Sequence, residues 1–132
     1  MKLLLDTHVL IWWWSDKQRV SPLARRLIED GGNRIFVSAA SAWEITTKQR
    51  IGKLAGLDHF QPDVPLSFVR EMDTDRFESL FVSVEHGLRA GDYVVAHADP
   101  FDRILAAQGE LEAVPLITRD PAFALFPCET IW

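Results

Sequence analysis

The sequence predicts an α/β fold built on a mostly parallel sheet with helices on both faces. Two observations carry this. Five short segments read as strands, and helical segments separate them. Short buried strands joined by helical crossovers give parallel sheets covered on both sides. The size agrees: 132 residues, 48% hydrophobic and 25% charged, make one ordinary globular domain, residues 1–132.

Lys2 to Leu5 reads as a buried strand ending at Asp6. Val9 to Trp14 is helical. Ser21 and Pro22 supply an N-cap and a first-turn proline for a helix that stops at Gly31-Gly32. Arg34 to Ser38, rich in β-branched and aromatic residues, is a second strand. Ala39 to about Lys53 is a helix, Gly56 to Val64 a loop, and Pro65 to about Arg76 another helix. Leu80 to Ser83 is the third strand. Val84 to His97 starts helical and breaks around Gly91. Asp99-Pro100 opens a helix through Leu111, Pro115 to Ile117 is a strand, Asp120-Pro121 opens a further helix, and Cys128 to Ile131 is the last strand.

Composition narrows the class. One cysteine, Cys128, excludes an internal disulfide and a Cys-rich zinc site. No apolar run approaches the ~18 residues of a membrane span. The start Met1-Lys2-Leu3-Leu4-Leu5 is cut by Asp6 and His8, unlike a signal peptide. These features fit a cytoplasmic protein without a membrane partner. Net charge is −5, which disfavours a nucleic-acid partner on its face. If four carboxylates gather around a cation, the remainder carries only −1, and Arg outnumbers Lys ten to four. Arg is the better phosphate fork.

In parallel sheets ligands bind beyond the carboxyl ends of the strands. Four carboxylates fall there: Asp6 after the first strand, Glu44 early in the helix after the second, Asp102 in the first turn of the Asp99 helix, and Asp120 after Ile117. Each also has an ordinary reading. Asp120 and Asp99 sit at N-cap positions, Asp102 completes a capping-box spacing, and Glu44 lies four residues before Lys48. Four caps have no reason to share one edge, however. Two carboxylates ~5 Å apart repel by ~3 kcal/mol at an effective dielectric near 20. A hard cation, Mg²⁺ or Mn²⁺, removes that repulsion. His8, His59, His86 and His97 lack the paired spacing of a zinc helix. No phosphate-binding glycine loop and no Gly-x-Ser-x-Gly elbow is present. The residues thus read best as a metal-dependent phosphodiester hydrolase.

The blocks Leu5-Asp6-Thr7-His8, Ser38-Ala39-Ala40-Ser41-Ala42-Trp43-Glu44-Ile45, His97-Ala98-Asp99-Pro100-Phe101-Asp102-Arg103 and Thr118-Arg119-Asp120 resemble the PIN-domain ribonucleases. More narrowly they resemble the VapC-type toxins of toxin–antitoxin pairs. The resemblance implies a three-layer α/β/α fold around a mostly parallel five-stranded sheet. It implies Mg²⁺- or Mn²⁺-dependent RNA cleavage, a cognate antitoxin and a homodimer. The acidic ligands it implies are Asp6, Glu44, Asp102 and Asp120, with Glu44 orienting or deprotonating the attacking water. Thr118 matches a hydroxyl position beside the site, and Asp99 is a helix cap and outer group. Lys48, Arg103 and Arg119 are candidate phosphate contacts.

Other readings fit less well. A receiver domain needs an acidic pair at the first strand, where Thr7 follows Asp6. A haloacid-dehalogenase-like phosphatase needs a second Asp at position 8, which is His. A non-catalytic RNA-binding or regulatory module, and a nuclease acting on single-stranded DNA, remain as alternatives. Trp12, Trp13 and Trp14 spread over about 200° of a helix, since successive residues are roughly 100° apart. Such an arc predicts at least one tryptophan in a protein interface.

Overall fold

Leucines at positions 3, 4 and 5 occupy the centre of the sheet. They belong to β1 (Lys2–Leu5), and each is fully buried. Side chains alternate between faces along a strand, so Leu3 and Leu5 enter one core and Leu4 the other. The structure is a computed structural model that describes residues 1–132. Its sheet is parallel throughout. β2 (Arg34–Ser38), β3 (Glu78–Leu80), β4 (Leu116–Ile117) and β5 (Thr130–Ile131) join β1 in the order β3-β2-β1-β4-β5.

Helices α1 (Thr7–Ser15), α2 (Pro22–Glu29), α3 (Ala39–Arg50) and α4 (Val64–Asp75) pack with Leu3 and Leu5. Helices α5 (Val84–Asp92) and α6 (Pro100–Leu111) pack with Leu4 and Phe36. The result is the expected three-layer α/β/α arrangement. Most helix starts follow the local sequence. The Ser21 hydroxyl accepts from Ala24 N (3.1 Å), and Ser38 accepts from Ala40 N (3.0 Å). No helix is long and apolar enough to cross a membrane.

Three elements depart most from expectation. The third strand lies at Glu78–Leu80, not Leu80–Ser83. It can pair only along β2, whose last paired residue is Ser38, opposite Leu80. Phe81 and Val82, apolar but past that limit, are exposed. The helix expected after Asp120 is a single 3₁₀ segment, Pro121–Leu125, because the chain must extend again at Phe126 to reach the sheet edge at β5. The helix expected to reach about Lys53 stops at Arg50, and Gly52 adopts a left-handed φ of 71°.

Trp13 is buried and Trp12 and Trp14 are half-buried, so the arc is largely covered within the chain. Trp14 packs on Phe60, Phe68 and Phe77. Both Trp13 Nε1 and Trp14 Nε1 donate to Asp75 Oδ2, at 3.1 and 2.8 Å. Trp12 meets Trp132 edge-on, with the Arg19 guanidinium over its ring.

Candidate active site

β1 and β4 are neighbours with Leu5 opposite Ile117. The next residue of each chain segment, Asp6 and Thr118, therefore meet across the carboxyl edge of the sheet. The Thr118 hydroxyl donates to Asp6 Oδ2 at 2.7 Å and accepts from Asp120 N at 3.0 Å. Asp6 also caps α1, accepting from His8 N at 3.4 Å. The same carboxylate thus ends a strand, starts a helix and holds a fixed rotamer. Burial pushes its pKa above the usual carboxylate range; the Thr118 bond opposes this, and the charge of Asp120 adds to it.

Asp102 reaches the same edge from α6. Asp99 caps that helix, accepting from Phe101 N (2.9 Å) and Asp102 N (3.2 Å), as expected. Asp102 Oδ2 lies 2.7 Å from His97 Nε2. Its pKa is pushed up to about 6, by burial first; the charges of Asp99 and Asp6 add, while the His97 bond opposes. Asp6 thus feels the charge of Asp120, and Asp102 that of Asp6. Asp120 is half-exposed, and its Oδ1 accepts from Ala122 N at 2.9 Å. A cleft of about 320 Å³ opens here, lined by Asp6, His8, Trp12, Arg119, Asp120 and Pro121.

Glu44 arrives from α3, which is tied to α1 by a 2.8 Å hydroxyl pair between Thr7 and Ser41. It is buried, and Oε2 pairs with Lys48 one turn on. Its other oxygen, Oε1, is buried with no hydrogen-bond partner. A buried carboxylate oxygen left bare is costly and fits a donor toward a cation. Asp6, Asp102, Asp120 and Glu44 supply only hard oxygen donors, which suits Mg²⁺ or Mn²⁺. No group of three His, Cys, Asp or Glu side chains stands closely enough together to hold a metal ion in this structure. Mg²⁺ does not require one, since it is held through one or two carboxylates and keeps several waters.

Arg103 is placed differently from the phosphate contact expected of it. Its guanidinium donates to the carbonyls of Ala90, Tyr93, Val95 and His97, at 2.8, 2.6, 3.4 and 2.9 Å. It is a brace for the segment between α5 and α6. Arg119 is exposed on the cleft wall. Sequence reasoning missed His97 and His8, having weighed the histidines only as zinc ligands. No spacing signal marks a histidine five residues before a helix carboxylate.

A parallel α/β/α sandwich with buried carboxylates beyond its central strands defines a class of acid-centred domains. The chain belongs to the PIN domain family, which matches residues 3–127. Solved structures agree in fold. The chain is similar to VapBC2 from Rickettsia felis bound to a promoter DNA fragment, with 16% identity, 100% of this chain and 99% of that chain covered, and a TM-score of 0.70. It is similar to DNA-bound VapBC from Salmonella typhimurium, with 16% identity, 100% and 97% coverage, and a TM-score of 0.71. FitAcB from Neisseria gonorrhoeae gives 17% identity, 100% and 97% coverage, and a TM-score of 0.63. A comparison with curated proteins finds no match.

Proposed function

We propose that this chain is a divalent-metal-dependent endoribonuclease and the toxin of a toxin–antitoxin pair, VapC-like in kind. The observation that carries this is Asp6: a buried carboxylate, fixed by Thr118 at the carboxyl edge of the sheet, on a PIN-domain scaffold. Asp6, Asp102 and Asp120 would hold Mg²⁺ or Mn²⁺. Bound there, the ion would activate water and neutralise charge on a phosphodiester oxygen.

The chain's own residues do the rest. Glu44 orients the attacking water and accepts its proton through Oε1, the oxygen without a partner. Lys48 holds the other Glu44 oxygen and keeps the side chain in one position. His97 fixes Asp102, and Arg103 fixes the segment that carries His97. Arg119, on the cleft wall, meets the RNA backbone.

A similar solved structure from Klebsiella pneumoniae is a toxin–antitoxin complex by name, and this chain in turn would be silenced by a small antitoxin. An acidic cleft attracts an inserted Arg or Lys. Homodimer formation completes the reading. The test is cleavage of total cellular RNA by purified protein with EDTA, Mg²⁺ or Mn²⁺, with mapping of the new ends. Metal-dependent cutting that Asp6→Asn abolishes is expected. Binding of RNA without cutting would instead favour a non-catalytic module, and cutting only of single-stranded DNA would correct the substrate.

A further inference from the structure

Trp43 is 64% exposed, although Glu44, the next residue, is buried. It is the most exposed tryptophan of the chain. Phe101, the residue before Asp102, meets it edge-on, with ring centroids 4.9 Å apart and planes at 74°. The pair therefore joins α3 to α6 directly beside two of the four carboxylates. An edge-on contact covers at most one face of the indole and leaves the other open. It also restrains the ring, so little rotamer freedom is left to lose on binding.

The surroundings say what the open face fits. Toward the carboxyl end of α3 no large exposed apolar residue follows before Ile51, beyond the helix; toward its start Ala39 and Ala42 line an apolar groove with Val69 and Phe81, so the stripe past Trp43 is the polar one. An aromatic face at the border of a polar stripe suits one flat ring with polar substituents. Further along the same stripe of α3 stand Thr46, Thr47 and Arg50, which line a cleft of about 370 Å³. Arg50 lies seven residues on, about 10 Å along the helix axis. The Thr46 hydroxyl donates to Ala42 O at 2.8 Å, which leaves its oxygen to accept from a ribose hydroxyl, and the Arg50 guanidinium suits phosphate.

We propose that Trp43, braced by Phe101, is a stacking platform for one unpaired nucleobase of the RNA, next to the phosphodiester at the carboxylates, with the strand continuing past Thr46 and Thr47 to Arg50. This rests on the nuclease reading above. Stacking on aromatic side chains is tolerant of base identity, so the platform selects single-stranded over paired RNA rather than a sequence.

The experiment compares wild type with Trp43→Leu and Trp43→Phe. Leucine keeps apolar bulk but has no π-face; phenylalanine keeps the face. The probe is an eight-nucleotide single-stranded RNA with 2-aminopurine at each position in turn, bound in EDTA, with cleavage measured separately in Mg²⁺. Trp43→Leu is expected to bind about 5- to 150-fold more weakly and to lose the 2-aminopurine quenching seen at one position. Trp43→Phe should keep most of both, and all three proteins should melt alike. Equal affinity and quenching in Trp43→Leu would overturn the platform while wild-type cleavage leaves the nuclease reading standing. A change of sedimenting species in Trp43→Leu with unchanged RNA binding would overturn it too, assigning Trp43 to contact between copies. A wild type that neither binds nor cuts RNA overturns both.

Discussion

The Thr118 hydroxyl and the Asp6 carboxylate, 112 residues apart in sequence, share a 2.7 Å hydrogen bond where β4 and β1 end. The same hydroxyl accepts from Asp120 N. Thr118→Val keeps the shape and removes both bonds, leaving Asp6 Oδ2 buried without its donor. Stability in EDTA should fall by about 1–3 kcal/mol, and cleavage by about 10- to 100-fold, as is usual for residues that orient ligands. Thr118→Ser should restore both, which chemical denaturation and an RNA assay can check.

Asp102→Asn separates a ligand from a helix cap. A capping role alone makes the variant slightly less stable, by ~0.3–1 kcal/mol, and fully active. As a ligand, its loss relieves repulsion on Asp6, so the metal-free variant should melt no lower than wild type. Stabilisation by millimolar Mg²⁺ should shrink, and cleavage should fall by orders of magnitude. A variant that melts lower in EDTA, keeps its full metal shift and still cuts RNA would refute the assignment.

The same carboxyl sets a pH dependence. Its folded pKa of about 6 stands above the ordinary 3.8. Between those values the folded protein binds more protons than the unfolded chain, so stability falls as pH rises. The contribution is complete below about pH 4 and lost above about pH 6. Asp6, also raised, acts in the same direction. In EDTA, wild type should therefore lose stability relative to Asp102→Asn across this window. A difference that does not change with pH would contradict the buried carboxyl.

Variants of Arg103 and Arg119 should differ in their salt dependence. Removing a phosphate contact from a single-strand binder reduces the slope of log K against log salt by ~0.7. Arg119→Ala should show this reduction. Arg103→Ala should leave the slope unchanged, because its guanidinium holds backbone carbonyls. It should instead lower stability by about 2–4 kcal/mol and weaken cleavage through the His97 segment.

Asp75 supports α1 far from the carboxylates. It receives both Trp13 Nε1 and Trp14 Nε1. Asp75→Ala should lower the melting point, at about 1–3 kcal/mol, with Asp75→Asn intermediate and RNA cleavage per folded molecule unchanged.

Much of this was legible in the sequence where local rules decide. The leucine run of β1 and the Ser21 and Asp99 caps declare themselves, because burial and capping act over a few residues. β3 was misplaced because its limits are those of its partner β2, which is remote in sequence. Arg103 was misread because a guanidinium beside an acid looks the same whether it faces solvent or folds back on the chain. How far the chain itself covers the tryptophan arc is not written locally, because Phe60, Phe68, Phe77 and Asp75, which cover Trp14, lie 46 to 63 residues away. That Asp6 and Thr118 meet at the ends of neighbouring strands follows from strand topology; that His97 joins Asp102 has no local signal.

The strand order has a consequence for the timing of synthesis. β1 is made first, yet its second partner in the sheet, β4, is among the last segments to be translated. At ~5–20 residues per second, roughly 6–20 s separate Asp6 from Thr118. Throughout that interval the nascent chain carries Asp6 without the hydroxyl that fixes it and without Asp120. Any chemistry that needs these groups together therefore stays switched off while the ribosome, itself made of RNA, is still building the chain.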